Sequence, residues 1–216
     1  SEETHSGKKK KITFEIDKYS KFKEKIIYKK INSFPIGLSS WQKENYQRNY
    51  IANCLNQANG DDIVMISDLD EIPSKEIFEK DPFLLANSGP LVCEQKEFSY
   101  FLNYHRIGSQ WRGTIFGLKD AMTTGSLNSL RMDAWVLNII KDVIPKGGYH
   151  FTSVGSISDI KNKIESWGHQ EFNNSKVKDS LDKKIRTGQD PFGRKAGTIF
   201  QKVDLPTRFG ALLHLA

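Results

Sequence analysis

Asp62-Ile63-Val64-Met65-Ile66-Ser67-Asp68-Leu69-Asp70-Glu71-Ile72-Pro73 is the stretch on which the fold turns. Four consecutive apolar residues, Ile63 to Ile66, predict a short strand covered on both faces, as in a parallel α/β sheet. In such sheets ligands bind outside the carboxyl ends of the strands. Asp68 and Asp70 sit at that end, with Leu69 expected to turn back toward the core. Two carboxylates this close repel each other unless something positive holds them, and a divalent cation does so. The plainer reading is an acidic loop whose aspartates cap the next helix, opened by Pro73-Ser74.

Upstream, Ser39 followed three residues later by Gln42 forms a capping-box signal. The stripe Tyr46, Tyr50, Ile51, Cys54, Leu55 and Ala58 predicts a helix that Asn59-Gly60 stops. Before it, Lys25 to Ile31 reads as a short strand, and residues 1–11 as polar and irregular. Downstream, Leu91 to Tyr104 predicts one long or two short strands, and Trp111 to Leu118 another. Residues 119–145 give no clear period. Gly147 to Ser153 reads as a Gly-led strand ending near a loop. Ile157, Ile160, Ile164 and Trp167 share one helical face; Val177, Leu181 and Ile185 share another, closed by Gly188. No linker composition divides the chain, so a single domain over 1–216 is expected.

Composition bounds the function classes. Net charge is +6, from 32 Lys+Arg and 26 Asp+Glu, but the basic residues are dispersed and the one dense run is Lys8 to Lys11. That pattern suits a solvated stretch rather than a nucleic-acid face, so no nucleic-acid partner is expected. Two isolated cysteines, Cys54 and Cys93, make neither a disulfide framework nor a zinc site and read as buried free thiols, which suits a reducing compartment. No apolar run reaches the ~18 residues of a membrane span. Asn173-Asn174-Ser175 matches a glycosylation sequon, a triplet that also arises by chance.

An apolar strand ending in D-x-D also suits a haloacid-dehalogenase-like phosphohydrolase, with the first Asp as nucleophile. That motif carries Thr or Val two residues after the second Asp, where this chain has Ile72, and normally opens its domain. The longer string Ser67-Asp68-Leu69-Asp70-Glu71-Ile72-Pro73 instead resembles the S-D-x-D-E-I-P signature of glycosyltransferase family 17, the family of β-1,4-mannosyl-glycoprotein 4-β-N-acetylglucosaminyltransferases. Four more blocks match in order. Thr4-His5-Ser6-Gly7-Lys8 is similar to the family's T-x-S-G-K, and Trp41 to Ile51, with Glu44, Gln47 and Arg48, to its W-x-x-E-x-x-Q-R. Gly148 to Thr152 resembles its G-W-H-x-S, with Tyr149 for Trp and Thr152 for Ser. Ser166 to Phe172 resembles its S-F-x-H-x-E-F.

The resemblance implies a GT-A-like α/β fold with a mixed sheet. It implies inverting, metal-dependent transfer of N-acetylglucosamine from UDP-GlcNAc to a glycan acceptor, with a carboxylate base taking the acceptor's proton. Asp68, Asp70 and His150 are the expected ligands of Mn²⁺ or Mg²⁺, His150 needing a neutral ring whose other nitrogen is hydrogen-bonded. Glu71, Arg48, His169 and Trp111 are the expected substrate-binding residues, and Glu97, Glu171 and Asp190 the candidate bases. Each has a plainer reading. Glu71 orients the aspartates or caps a helix, Arg48 pairs with Glu44, His169 and Glu171 are surface polarity, and Trp111 and Tyr104 are core aromatics. Family members usually carry a further βαβ portion before T-x-S-G-K, so this chain, beginning at Ser1, is expected to lack it, and a non-catalytic nucleotide- or glycan-binding fragment is the alternative. A microbial or viral relative would work in the cytoplasm or at a membrane periphery, a eukaryotic one in the Golgi lumen.

Overall fold

The structure is a computed structural model that describes residues 4, 6–9, 14–79, 89–135, 140, 142–193 and 199–204. His5, Lys10 and Lys11, from the blocks quoted above, lie outside the described residues. The architecture is α/β with a mixed sheet. Ser39 caps helix α1 (Ser40–Tyr50) through the expected reciprocal bonds with Gln42. The chain then tightens into 3-10 turns over Ile51–Gln57. Strand β1 (Ile63–Ile66) follows, then β2 (Glu71–Pro73), the short helix α2 (Glu76–Glu79), and strands β3 (Leu91–Tyr100), β4 (Tyr104–Arg106) and β5 (Trp111–Leu118). Helices α3 (Lys119–Met122) and α4 (Leu127–Trp135) lead into β6 (Val143–Val154), α5 (Ile157–Ser166), α6 (Ser175–Arg186) and β7 (Phe200–Lys202).

The long strand β3 organises the sheet. It pairs antiparallel with β5 and β4 and, on its other edge, parallel with β6. Strand β1 pairs antiparallel with β5, β7 with β4, and β2 with β6. The parallel setting expected for β1 is therefore not what its described pairing has; the parallel pair is β3·β6. Nor is β1 covered on both faces: Val64 and Ile66 are buried and Met65 half-buried, but Ile63 is exposed.

Three apolar clusters hold the layers. Val64, Ile66, Val92 and Ile115 meet Met122, Leu127, Leu130 and Ala134 from α3 and α4. Ile77, Leu91, Cys93 and Phe116 form a second cluster. In the third, the faces Ile160–Ile164 and Leu181–Ile185 pack with Tyr100, Phe192 and Phe200, as the helical spacing predicts. Each such buried aliphatic side chain contributes roughly 1.5–3 kcal/mol. Ser156 with Asp159 caps α5, Asn174 caps α6, and Gly188 at φ +67° ends α6.

Two expectations fail on the N-terminal side and after the aspartates. Lys25 to Ile31 is not a strand; a kinked 3-10 segment occupies Ile16–Lys25 and the chain then runs without regular structure. The short helix expected after Pro73-Ser74 is present as α2 (Glu76–Glu79), but β2, ending at Pro73, separates it from the aspartates, so they are not its caps. Strand β2 arises because the turn after β1, closed by Glu71 N–H donating to the Asp68 carbonyl, returns the chain along β6.

Candidate active site

Strand pairing brings the sequence blocks together. In β2·β6 the registers are Glu71 with His150, Ile72 with Tyr149 and Pro73 with Gly148, and Phe151 N–H donates to the Asp70 carbonyl at 2.8 Å. In β3·β6, Glu97 stands opposite the same His150. Thus Glu71, His150 and Glu97 lie in one row across three strands. His150 is in the body of β6. Gly148, at φ +143°, is required here: an added Cβ would collide with the Ile72 carbonyl of the neighbouring strand.

A cleft of about 660 Å³ opens above this row. Its walls come from α1 (Trp41, Glu44, Asn45, Arg48), the turn after β1 (Asp68, Asp70), and the sheet (Glu97, Trp111, His150, Thr152). Helix α4 adds Asn128, Arg131 and Met132; α5 and the loop after it add Lys163, Trp167, Gly168 and His169. Leu69, expected in the core, is fully exposed; Glu71 is the residue that turns inward.

Glu71 is buried and its carboxylate is fully partnered. Both guanidinium nitrogens of Arg131 donate to it, Trp111 Nε1–H donates at 2.7 Å and the Asp68 amide at 3.1 Å. The Nη2 that donates to Glu71 also reaches Asp68 Oδ2 at 2.8 Å, and Nη1 also donates to the Gly113 carbonyl. Burial alone would lower the Arg131 pKa, but the bonds and charges of Glu71 and Asp68 outweigh it and raise it. Glu71 is not among the residues that line the cleft, and its bonds tie the Asp68 amide and Arg131 in place. Arg48 makes the pair its plainer reading expects and also stands at the cleft. It pairs with Glu44 at 3.1 Å, donates to Asn128 Oδ1 at 2.8 Å, lies 3.6 Å from Asp68, and lines the cleft.

Asp70 is half-buried at the cleft. Burial would raise its pKa, but His150, 3.6 Å away, and Lys163, at 3.3 Å, hold it down at about 2. His150 is buried and stacks on Trp111 with ring centroids 4.2 Å apart, so Trp111 is both cleft wall and packing partner. The hydrogen bond expected at the other imidazole nitrogen is not formed: Nδ1 is buried without a partner. Among the described residues no three His, Cys, Asp or Glu side chains converge as a metal cluster. An ionised carboxylate beside an imidazole is nonetheless a donor pair that suits Mn²⁺ or Mg²⁺, provided the remaining ligands come from substrate and water. Asp68 faces the cleft but is engaged by Arg131, so side-chain cations already relieve the repulsion between the two aspartates.

The three candidate bases separate clearly. Glu97 lines the cleft, with Arg106 at 2.8 Å and Ser109 at 3.1 Å both bonded to Oε2. Glu171 is exposed, bonded to His169 Nδ1 at 2.7 Å, and not part of the cleft wall. Asp190 is buried away from the cleft wall. Tyr104 packs on Phe101 and likewise lies off the cleft. The Thr4–Lys8 block docks elsewhere, on α5: Ser6 donates to the Glu165 carbonyl and Lys8 pairs with the Glu165 carboxylate at 2.8 Å.

Sequence reasoning missed Arg131, Lys163 and Trp41. Arg131 had a signal: it sits at helical spacing among Leu127, Leu130 and Ala134, and an arginine on a buried stripe needs an acidic partner. Trp41 had one too, as the leading residue of the W-x-x-E-x-x-Q-R block; Lys163 had none that separates it from ordinary helix surface.

In comparisons with known proteins, the family model described as Glycosyltransferase family 17 matches residues 1–194. No curated protein and no solved structure matches. No helix among the described residues is long and apolar enough to cross a membrane.

Proposed function

The chain belongs to glycosyltransferase family 17 and is a glycosyltransferase; on that premise we propose that it transfers N-acetylglucosamine from UDP-GlcNAc to a glycan acceptor with inversion, using Mn²⁺ or Mg²⁺ held at Asp70. The observation that carries this reading is the ionised Asp70 carboxylate, at the end of an apolar strand, facing a large cleft beside His150 and Lys163. A GT-A-like assignment of the mixed sheet, as one domain, belongs to the same proposal. A phosphohydrolase would need Asp68 free for attack, whereas Arg131 holds it.

Asp70 and His150 would hold the cation, joined by Asp68 if its pair with Arg131 opens. A bound divalent ion supplies Lewis-acid stabilisation of charge on a leaving diphosphate. The protein's own part is positioning. Arg48, near Asp68, and Lys163, beside Asp70, bring positive charge to the cleft, where they orient an anionic donor. Glu97 takes the proton-accepting role in this reading, because Glu171 and Asp190 lie off the cleft and because Arg106 and Ser109 fix its carboxylate through Oε2. Inversion requires the acceptor to enter from the face opposite the diphosphate.

The test is release of UDP from UDP-GlcNAc with Mn²⁺, with EDTA, and in Asp70→Asn. Metal-dependent release that falls about 100-fold or more in the variant is expected. Release indifferent to EDTA removes the metal from the proposal. An α-linked product by NMR removes inversion, and no use of UDP-GlcNAc removes the donor assignment.

A further inference from the structure

Apart from Arg48, two of the sequence blocks contribute residues with no role in the donor site, and the fold presses those residues together. Trp41 and Glu44 come from the first, Gly168, His169 and Glu171 from the second. Trp41 and His169 meet edge-to-face, with centroids 4.5 Å apart and planes at 85°. Both line the cleft. We propose that Trp41, Glu44, Asn45 and His169 form a pyranose-binding subsite that seats the sugar ring of the acceptor.

The residues are arranged for that chemistry. Trp41 is 42% exposed, on a helix that buries no residue. Its ring therefore does little for the core and presents an apolar face to the cleft. A pyranose offers the complement: a C–H face for an aromatic ring, and a rim of hydroxyls that donate to carboxylates and amides. Glu44 supplies the carboxylate. Its bond to Arg48 falls on Oε1, while Oε2 lies against Gly168. A Cβ at position 168 would meet that oxygen, and the end of the Glu44 side chain would have to shift. His169 is fixed from behind by Glu171 at 2.7 Å and flanked by Trp167 at 5.0 Å. This gives Glu171 a positioning role in place of the base role expected from the sequence.

Location assigns the ring to the acceptor. Arg48 Nη2 contacts Glu44 at 3.1 Å and Asp68 at 3.6 Å, so the subsite adjoins the D-x-D turn without including it. Glu44 Oε2, turned from Arg48 toward Gly168, can accept from neutral hydroxyls. The word acceptor rests on the transfer reading above; ring binding does not.

The experiment is saturation-transfer NMR titration of the whole chain with three probes: methyl β-glucoside, methyl β-galactoside and methyl β-mannoside. At least one is expected to bind the wild type, with affinity about tenfold weaker in Trp41→Ala and largely kept in Trp41→Phe. Thermal melts check that both variants are folded. No binding of any probe by the wild type, or equal binding by Trp41→Ala, overturns the subsite. Displacement of the glycoside by UDP-GlcNAc but not by UDP overturns its assignment to the acceptor. Glycoside binding in a chain that releases no UDP from UDP-GlcNAc keeps the subsite and removes the donor reading instead.

Discussion

Replacing Glu71 by alanine should cost this protein a large part of its stability, although residue 71 touches no cleft surface. The Glu71 side chain is fully buried, and Arg131 beside it is 5% exposed. Without Glu71 the guanidinium keeps only Asp68, whose side chain is 43% exposed, and the Gly113 carbonyl. Removing one partner of a buried pair costs about 3–5 kcal/mol, because the other charge stays desolvated. Trp111 Nε1–H and the Asp68 amide lose their acceptor as well. These losses overlap, so a total of about 4 kcal/mol is expected, against the ~5–15 kcal/mol of a typical domain. For a chain of this size that lowers Tm by roughly 8–16 °C. Calorimetry on wild type, Glu71→Ala, Arg131→Met and the double variant checks it. The double should be less destabilised than the sum by more than about 1 kcal/mol. A Tm drop under about 3 °C in Glu71→Ala, or additivity within about 0.5 kcal/mol, would refute the reasoning.

Two smaller predictions probe the same neighbourhood. Gly113→Ala should destabilise by about 1–3 kcal/mol, because the new Cβ would meet Glu71 Oε1 and Trp111 Nε1; thermal melts read it, and an unchanged Tm counts against the packing. Burial, with the Glu71 charge adding to it, pushes the Cys93 thiol up to about 12. The folded state therefore favours the protonated thiol: its contribution is complete below the ordinary pKa of 9.0 and is lost as pH rises toward 12. At pH 8 a thiol reagent should label half-buried Cys54 first, and Cys93 only on unfolding; fast labelling of both contradicts the burial.

Local pattern carried much of the fold. The Ser39–Gln42 capping box, the β1 run, the limits of β5, and the helical faces of α5 and α6 were all legible, because each depends on residues within one or two turns of each other. Strand β2 was not. Glu71-Ile72-Pro73 has weak strand propensity, and its extended form is maintained by pairing with a segment more than 70 residues away. Lys25 to Ile31 shows the converse: β-prone residues without a partner strand form none.

By itself, the sequence determined the family, the aspartates at a strand end, and the helices that carry their own caps and stripes. Only the tertiary structure decided what those aspartates face. It placed Arg131, from the apolar stripe of α4, against Glu71 and Asp68, and put Lys163 and His150 beside Asp70. It removed Glu171 and Asp190 from the cleft and brought Trp41 onto His169. The physical reason is range. A cap or stripe is satisfied by near neighbours in the chain. A buried charge is satisfied by whichever opposite charge the sheet order delivers, and strand pairing sets that order across distances no local window spans.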